Sequence, residues 1–351
     1  MRFFHVADVH LGAAPDQGFP WGTRRKEEIW DSFRRLIARV EKEQVDLLLI
    51  AGDLFHRQPL LGELKEVNYL FSTLTRTKVV FIVGNHDYWR KDSFYGGFPW
   101  CENVTCLDSA RCRRVVFPEL GTAVYGLSYH SREIQEPLYD SIKPKQDGLF
   151  SVLLAHGGDG QHIPFDKRKL LASGFDYIAL GHIHKPQILE RNRMAYAGAL
   201  EPLDKNDCGP HGFFAGEYQD GRVRITFVPW AARDYRWLEI RTDENSTDFS
   251  VQRQIAEYVQ ENGTKHIYRV RLEGFRDPAI TFQTEKYSAL GNIIEAVDHT
   301  EPAYNFAQLK EEHGEDVIGC LIGKLGGPDM DDIQKKALSY GVWALLEVSG
   351  R

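Results

Sequence analysis

The chain has 351 residues, of which 42 % are hydrophobic and 26 % charged, and its net charge is −7. That length predicts two or more domains, and the composition excludes a disordered tail, a collagen-like chain and a small disulfide scaffold. The charge is uneven: residues from 241 onward hold 19 acids against 12 bases, while residues 1–240 hold 31 of each. The acidic last third therefore suits a solvated face or a protein contact better than nucleic acid, which leaves residues 1–240 open to it. No run approaches the ~18 apolar residues of a membrane-spanning helix, so no membrane association is expected. The opening MRFFHVADVHLG has charges and histidines where a leader needs an apolar core, which points to a cytoplasmic protein. Cys101, Cys106, Cys112, Cys208 and Cys320 form no C-x-x-C pair and read as reduced thiols.

Taken in chain order, apolar runs predict strands over 3–9, 45–51, 79–83, 123–127, 151–155, 177–180 and 194–197. Ile29, Phe33, Leu36, Ile37 and Val40 at helical spacing predict a helix over 24–42, and a second is expected over 61–75. This is an α/β pattern, with loops at the C-terminal ends of strands. Residues 212–229 then read as a hairpin turning at Gln219-Asp220-Gly221. A polar stretch at 242–246 marks a boundary, with Asn245 or Ser246 expected to cap a helix over 249–259, followed by a strand over 266–272. Residues 305–346 are mainly helical by pattern, broken at Gly326-Gly327-Pro328. The expected domains are 1–235, 236–302 and a C-terminal helical segment, 303–351.

Five segments each follow an apolar run and carry metal-ligand residue types: Asp8-Val9-His10, Gly52-Asp53, Gly84-Asn85-His86-Asp87, Ala155-His156-Gly157 and Gly181-His182-Ile183-His184. In extended chain, residues i and i+2 point the same way, so Asp8 with His10, and His182 with His184, can each aim at one point. Gly52, Gly84 and Gly181 let the backbone turn and leave room for the residue that follows. Carboxylates, imidazoles and an amide oxygen suit divalent manganese, iron or zinc. Two such ions ~4 Å apart can clamp a phosphate and generate a hydroxide nucleophile near neutral pH. His5, His130, His162, His211, His266, His299 and His313 stand outside the pattern and read as core or surface residues.

The ordered set D-x-H, G-D, G-N-H-D, a lone His and G-H-x-H resembles the calcineurin-like metallophosphoesterase superfamily. The resemblance implies a metallophosphoesterase β-sandwich flanked by helices, with a smaller C-terminal α+β capping domain. It implies one metal on Asp8, His10 and His184, another on Asn85, His156 and His182, and Asp53 bridging both. His86 would contact the scissile phosphate and protonate the leaving oxygen, with Asp87 orienting it. Manganese is the first expectation for both ions, with iron, zinc and magnesium as alternatives. Protein phosphatases of the superfamily carry G-D-x-x-D-R-G, but here the run is Gly52-Asp53-Leu54-Phe55-His56-Arg57. That run, with FFHVADVHLG, GHIHKPQ and Tyr196-Ala197-Gly198-Ala199-Leu200-Glu201-Pro202, is similar to the SbcD-type DNA double-strand-break repair nucleases, in which the equivalent of His56 assists catalysis. Asp316–Gly319 and residues 337–346 resemble the C-terminal segment of YhaO-type exonuclease relatives.

The resemblance therefore implies a two-metal DNA nuclease. It also implies a homodimer with contacts near the helices flanking Gly84–Asp87, and an SMC-like ATPase partner of the SbcC or YhaN type, for which the acidic tail is a candidate docking region. Arg57, Arg90 and Lys185 directly follow metal motifs and are the expected contacts to flanking phosphates. The alternative is a metallophosphoesterase acting on small phosphodiesters or nucleotides. A protein phosphatase is disfavoured by the missing D-R-G, and a catalytically silent DNA-binding subunit by the complete ligand set.

Overall fold

The structure is a computed structural model that describes residues 1–327 and 330–349, so Pro328 of the expected helix break lies outside the described residues. The chain divides into two compact units, one ending at Tyr235 and the other beginning at Arg236. In the first, β1 (Arg2–Val6), α1 (Gly22–Lys42), β2 (Leu47–Ala51), α2 (Leu61–Ser72), β3 (Lys78–Ile82) and β4 (Val104–Cys106) alternate strand with helix before the last step. There follow β5 (Arg113–Phe117), β6 (Thr122–Gly126), β7 (Phe150–His156), α3 (Lys167–Ala172), β8 (Tyr177–Gly181), β9 (Gln187–Glu190) and β10 (Met194–Tyr196), then the hairpin β11 (Gly212–Gln219) and β12 (Arg222–Pro229).

Among the described residues these strands form two six-stranded sheets, ordered β12-β11-β1-β2-β3-β4 and β5-β6-β7-β8-β10-β9. The inner strands are parallel: β1 with β2, β2 with β3, β6 with β7, and β7 with β8. Every residue of β2 is buried, as an unbroken Leu-Leu-Leu-Ile-Ala run requires of a strand covered on both faces. One face of the first sheet packs on the α1 stripe Ile29, Phe33, Leu36, Ile37 and Val40. Its other face meets the second sheet through Phe3, Leu47, Leu49 and Val80 against Val124, Phe150, Val152 and Tyr177. The result is an α/β sandwich of two sheets flanked by helices, the architecture expected from the sequence. The edge strands β4, β5 and β9 are missed by pattern reading because almost none of their residues is buried.

In the second unit, β13 (Tyr235–Thr242), β14 (Ile267–Arg276) and β15 (Ile293–Asp298) lie side by side, and the short β16 (Glu301–Pro302) pairs with β14. α4 (Asp248–Asn262) packs Val251, Ile255 and Val259 against Leu238, Tyr268 and Val270. Thr247 caps this helix, not Asn245 or Ser246: its hydroxyl accepts from the Ser250 N–H, and Ser246 is engaged with Asp243 instead. α5 (Phe306–His313), α6 (Val317–Leu325) and α7 (Asp332–Ser349) enclose a separate small cluster of Ile318, Ile322, Leu338 and Val342. Among the described residues no helix is long and apolar enough to cross a membrane, and no disulfide joins any of the five cysteines.

His5 shows how this core constrains titration. Its Nε2 lies 3.2 Å from the Leu180 carbonyl and its Nδ1 2.8 Å from the Tyr177 hydroxyl, so the neutral ring satisfies both partners. Burial drives its pKa down to about 3, against the weaker upward pull of the Leu180 carbonyl. A histidine depressed in the folded state and ordinary in the unfolded state stabilises the fold above its unfolded pKa, and that stability is lost as the pH falls from 6.5 toward 3. Between pH 6.5 and 5 the loss should reach ~2 kcal/mol. Urea titrations of wild type and His5→Gln at pH 7 and pH 5 check this: wild type should lose about that much more than the variant, and equal losses would refute the assignment.

Candidate metal centre

The motif loops leave the C-terminal ends of β1, β2, β3, β7 and β8 and meet at one end of the sandwich. They are strapped to one another by backbone: Asp8 N–H donates to Gly52 O, His10 N–H to Asp53 O (3.0 Å), and Leu11 N–H to Leu54 O (3.0 Å). Asp8, His10, Asp53 and His182 all take left-handed backbone, with φ of 49°, 50°, 48° and 97°. Side chains rarely adopt that region, and it persists only where surrounding bonds hold it. The extended-chain argument for Asp8 with His10 and for His182 with His184 therefore fails in its geometry; the left-handed turn, not a strand, aims these side chains. Two glycines make the approach possible. A methyl at Gly84 would overlap the Asp53 carboxylate, and one at Gly52, itself at φ 90°, would overlap the His156 ring.

The seven side chains expected to bind metal come together as two groups. In the first, His10 Nε2 lies 3.2 Å from His184 Nε2 and 4.0 Å from Asp8 Oδ1. In the second, Asn85 Oδ1 lies 2.9 Å from His156 Nε2 and 3.2 Å from His182 Nδ1. Asp53 Oδ2 stands between them, 3.7 Å from His10 Nε2 and 3.4 Å from His156 Nε2. The donor set fits a pair of divalent cations. His156 Nδ1–H donates to the Ala51 carbonyl (2.9 Å), which fixes Nε2 as the nitrogen that faces the Asn85 and Asp53 oxygens. His10 and His184 likewise face each other nitrogen to nitrogen, an arrangement that a shared cation satisfies.

Electrostatics couple the members. Burial raises the Asp8 carboxyl to about 6, against the pull of His156 and His184. Burial would raise Asp53 too, but His156 and His10 hold it well below the usual carboxylate range. Desolvation opposes protonation of His156, yet Asp53 outweighs it and lifts the ring to about 9. Burial lowers His10 far below its ordinary value, and burial with His156 lowers His182 to about 4. For His184 burial is again opposing, and the bond to Asp207 overcomes it, giving about 9.

Two further histidines line the same place. The His56 ring stacks on His86 (centroids 5.1 Å apart, 25°), and His56 Nδ1 lies 3.3 Å from His10 Nδ1. His86 Nδ1–H donates to the His56 carbonyl (3.2 Å), and the His86 backbone N–H donates to Asp53 Oδ1 (2.9 Å). Asp87 corrects the sequence reading, because its carboxylate does not meet the His86 ring. It is buried and accepts from the N–H groups of Gly84 and Phe55 and from the Tyr95 hydroxyl, so it ties the His86 loop to the Asp53 loop. Of the expected phosphate contacts, Arg57 forks onto Glu63 (2.9 Å) and Arg90 onto Asp92. Lys185 is exposed and has no ion pair among the described residues.

Sequence reasoning missed two carboxylates. Asp159 Oδ2 lies 2.8 Å from His182 Nε2, and Asp207 Oδ2 lies 3.0 Å from His184 Nδ1. Asp159 stands three residues past the lone His, and that short spacing was a usable signal; Asp207 is 23 residues beyond its partner, and no spacing announces it. His162, read as an ordinary core or surface residue, packs its ring 4.4 Å from that of His182 and bonds to Asp159 (2.9 Å).

Residues 1–186 match the family model described as calcineurin-like phosphoesterase. A Bacillus subtilis protein described as an uncharacterized metallophosphoesterase, YhaO, is 30 % identical over 264 residues, covering 69 % of this chain and 63 % of its own length. The DNA double-strand break repair protein Mre11 of Methanocaldococcus jannaschii is 30 % identical over 246 residues, 65 % of each chain. The Haloferax volcanii protein of the same name is 27 % identical over 284 residues, 78 % of this chain and 62 % of its own. This chain thus spans just under two thirds of the length of these relatives. With the family model covering more than half of the chain and Asp53 standing within 4 Å of a histidine from each donor group, the chain belongs to the calcineurin-like phosphoesterases, whose members work with a dimetal centre.

Proposed function

We propose that this phosphoesterase is a DNA nuclease that cuts phosphodiester bonds during double-strand-break or end processing. The observation that carries the reading is His56. It stands three residues past Asp53, where protein phosphatases of the superfamily have Asp-Arg-Gly, and it adds a third imidazole against His10 and His86. The archaeal relatives named for DNA double-strand break repair support the same substrate.

Asp8, His10 and His184 would hold one cation, Asn85, His156 and His182 the other, and Asp53 both; manganese suits this mixed oxygen and nitrogen set. Two divalent ions there supply charge neutralisation for a phosphoryl group and a water acidified toward neutral pH. The protein's own part is positioning and proton delivery. The Nδ1–H of His86 is engaged by the His56 carbonyl, so Nε2 is the atom that hands a proton to the departing 3′-oxygen. Asp87, through Gly84 and Phe55, keeps the loop that carries His86 in register with Asp53. Arg57 and Arg90 follow the metal motifs and would turn from Glu63 and Asp92 to reach flanking phosphates, and Lys185 adds a third positive charge.

Residues 236–302 would cap the nuclease unit and contribute to DNA recognition. The protein would act as a homodimer with an SMC-like ATPase of the SbcC or YhaN type in the cytoplasm. The segment 303–351 is the candidate ATPase contact: it is acidic, and α7 leaves Ile333, Tyr340, Trp343 and Val348 exposed, as a partner surface requires. A second reading, hydrolysis of small phosphodiesters or nucleotides, is favoured by the carboxylates that occupy Arg57 and Arg90.

Manganese-dependent cleavage of end-labelled linear and circular single strands, set beside bis-p-nitrophenyl phosphate, separates the two readings. A nuclease strongly prefers the polymer, whereas turnover of the small diester alone overturns the DNA assignment. In the same assay His86→Ala should keep its metal and lose ~10²- to 10⁴-fold in rate; near-normal turnover removes His86 from the chemistry. Asp53→Ala should lose metal from both sites, and two full equivalents by elemental analysis would refute the bridging role.

A further inference from the structure

His182 and His184 are two residues apart, yet their rings reach different donor groups: His182 Nδ1 is 3.2 Å from Asn85 Oδ1, and His184 Nε2 is 3.2 Å from His10 Nε2. One ring presents its δ nitrogen and the other its ε nitrogen. An imidazole can flip or change tautomer, and either event would aim a ring proton at the cation. Something must therefore hold each ring, and hold the two in opposite senses.

The remaining nitrogen of each ring meets a carboxylate, which can only accept. His182 Nε2–H donates to Asp159 Oδ2 (2.8 Å), and His184 Nδ1–H donates to Asp207 Oδ2 (3.0 Å). The two acids come from separate loops, one after β7 and one after β10, and each is anchored before it meets its histidine. Asp159 Oδ1 accepts from the N–H groups of Gln161 (2.8 Å) and His162 (2.9 Å). Asp207 Oδ2 also accepts from the Leu203 N–H (2.9 Å). A side chain already fixed by backbone bonds has less freedom to lose when it orients a partner than an ordinary surface acid has.

We infer that Asp159 and Asp207 are positioning residues that fix opposite tautomers in His182 and His184, and so assign these two histidines to different cations. The inference rests on the two-cation reading of the centre. It adds that metal occupancy can be tuned one site at a time from outside the ligand set.

The test uses the full chain and Mn²⁺ or Zn²⁺ as probes. Calorimetric titration of wild type should give two equivalents. Asp159→Ala should weaken one equivalent by ~10- to 100-fold and leave the other near wild type, and Asp207→Ala should do the same to the other equivalent. In a His156→Ala background, where the Asn85 group is crippled, the surviving site should respond to Asp207→Ala and not to Asp159→Ala. Asp159→Asn, whose amide oxygen still accepts from Nε2–H, should recover part of the loss. Should a variant fail to fold, the wild type alone decides: long-range ¹⁵N spectra of the histidine-labelled, zinc-loaded protein should show Nε2 protonated in His182 and Nδ1 protonated in His184. Matching tautomers in the two rings, equal weakening of both sites by either variant, or a third equivalent held by Asp159 and His162 would overturn the inference. No binding of either ion by the wild type would overturn the dimetal reading itself, a result distinct from all of these.

Discussion

The Asp53 carboxylate is the constraint to which the rest of the centre is built. One oxygen accepts the His86 N–H, and the other lies within 4 Å of a nitrogen from each donor group, His10 and His156. A single side chain can do this only if its own backbone is turned out of the strand, which the left-handed Asp53 provides, and if nothing stands beside it, which Gly84 ensures. The same residue sets the electrostatics, since it is what lifts His156 to about 9 against burial. Loops that would otherwise be independent are thus fixed relative to one oxygen pair.

The sandwich makes this placement rigid. Strand β2, which delivers Asp53, is buried on both faces, between the α1 stripe and the second sheet. Close packing there means that a shift of the Asp53 loop would disturb both layers. β7 and β8 deliver His156 and His182 from the facing sheet, so the two donor groups draw on both halves of the sandwich. His5, on β1 three residues before Asp8, joins those halves through Tyr177 and Leu180. A titratable ring in that position serves packing and not chemistry, although its residue type matches that of the ligands nearby.

Legibility in the sequence follows the range of the interaction. The inner strands, α1 and the Asp220-Gly221 hairpin were readable because apolar period and turn chemistry are local, and the convergence of the candidate metal-binding side chains because each follows an apolar run. What was not readable depends on contacts between loops. The Asp87 carboxylate belongs to the Phe55 backbone and Tyr95, not to its neighbour His86. The backbone of His182 is left-handed where i, i+2 reasoning assumes an extended chain. Thr247 outcompetes Ser246 as a cap because Asp243 already engages the serine. Short edge strands such as Val104–Cys106 have too few buried residues to leave a pattern.

A division of labour follows from these contacts. Acids at the centre fall into three kinds: Asp8 and Asp53 face the cation positions, Asp87 braces loops, and Asp159 and Asp207 hold imidazoles. Burial raises Asp87 to about 7, and the nearby Asp53 adds to that rise, so a brace so close to a second buried acid is electrostatically costly. Three donors, two of them backbone N–H groups, offset part of that cost. The arrangement lets a rigid, enclosed loop present His86 while the His86 ring stays partly open. Rigid support beneath one partly open imidazole is what the proposed in-line displacement at phosphorus would ask of this protein.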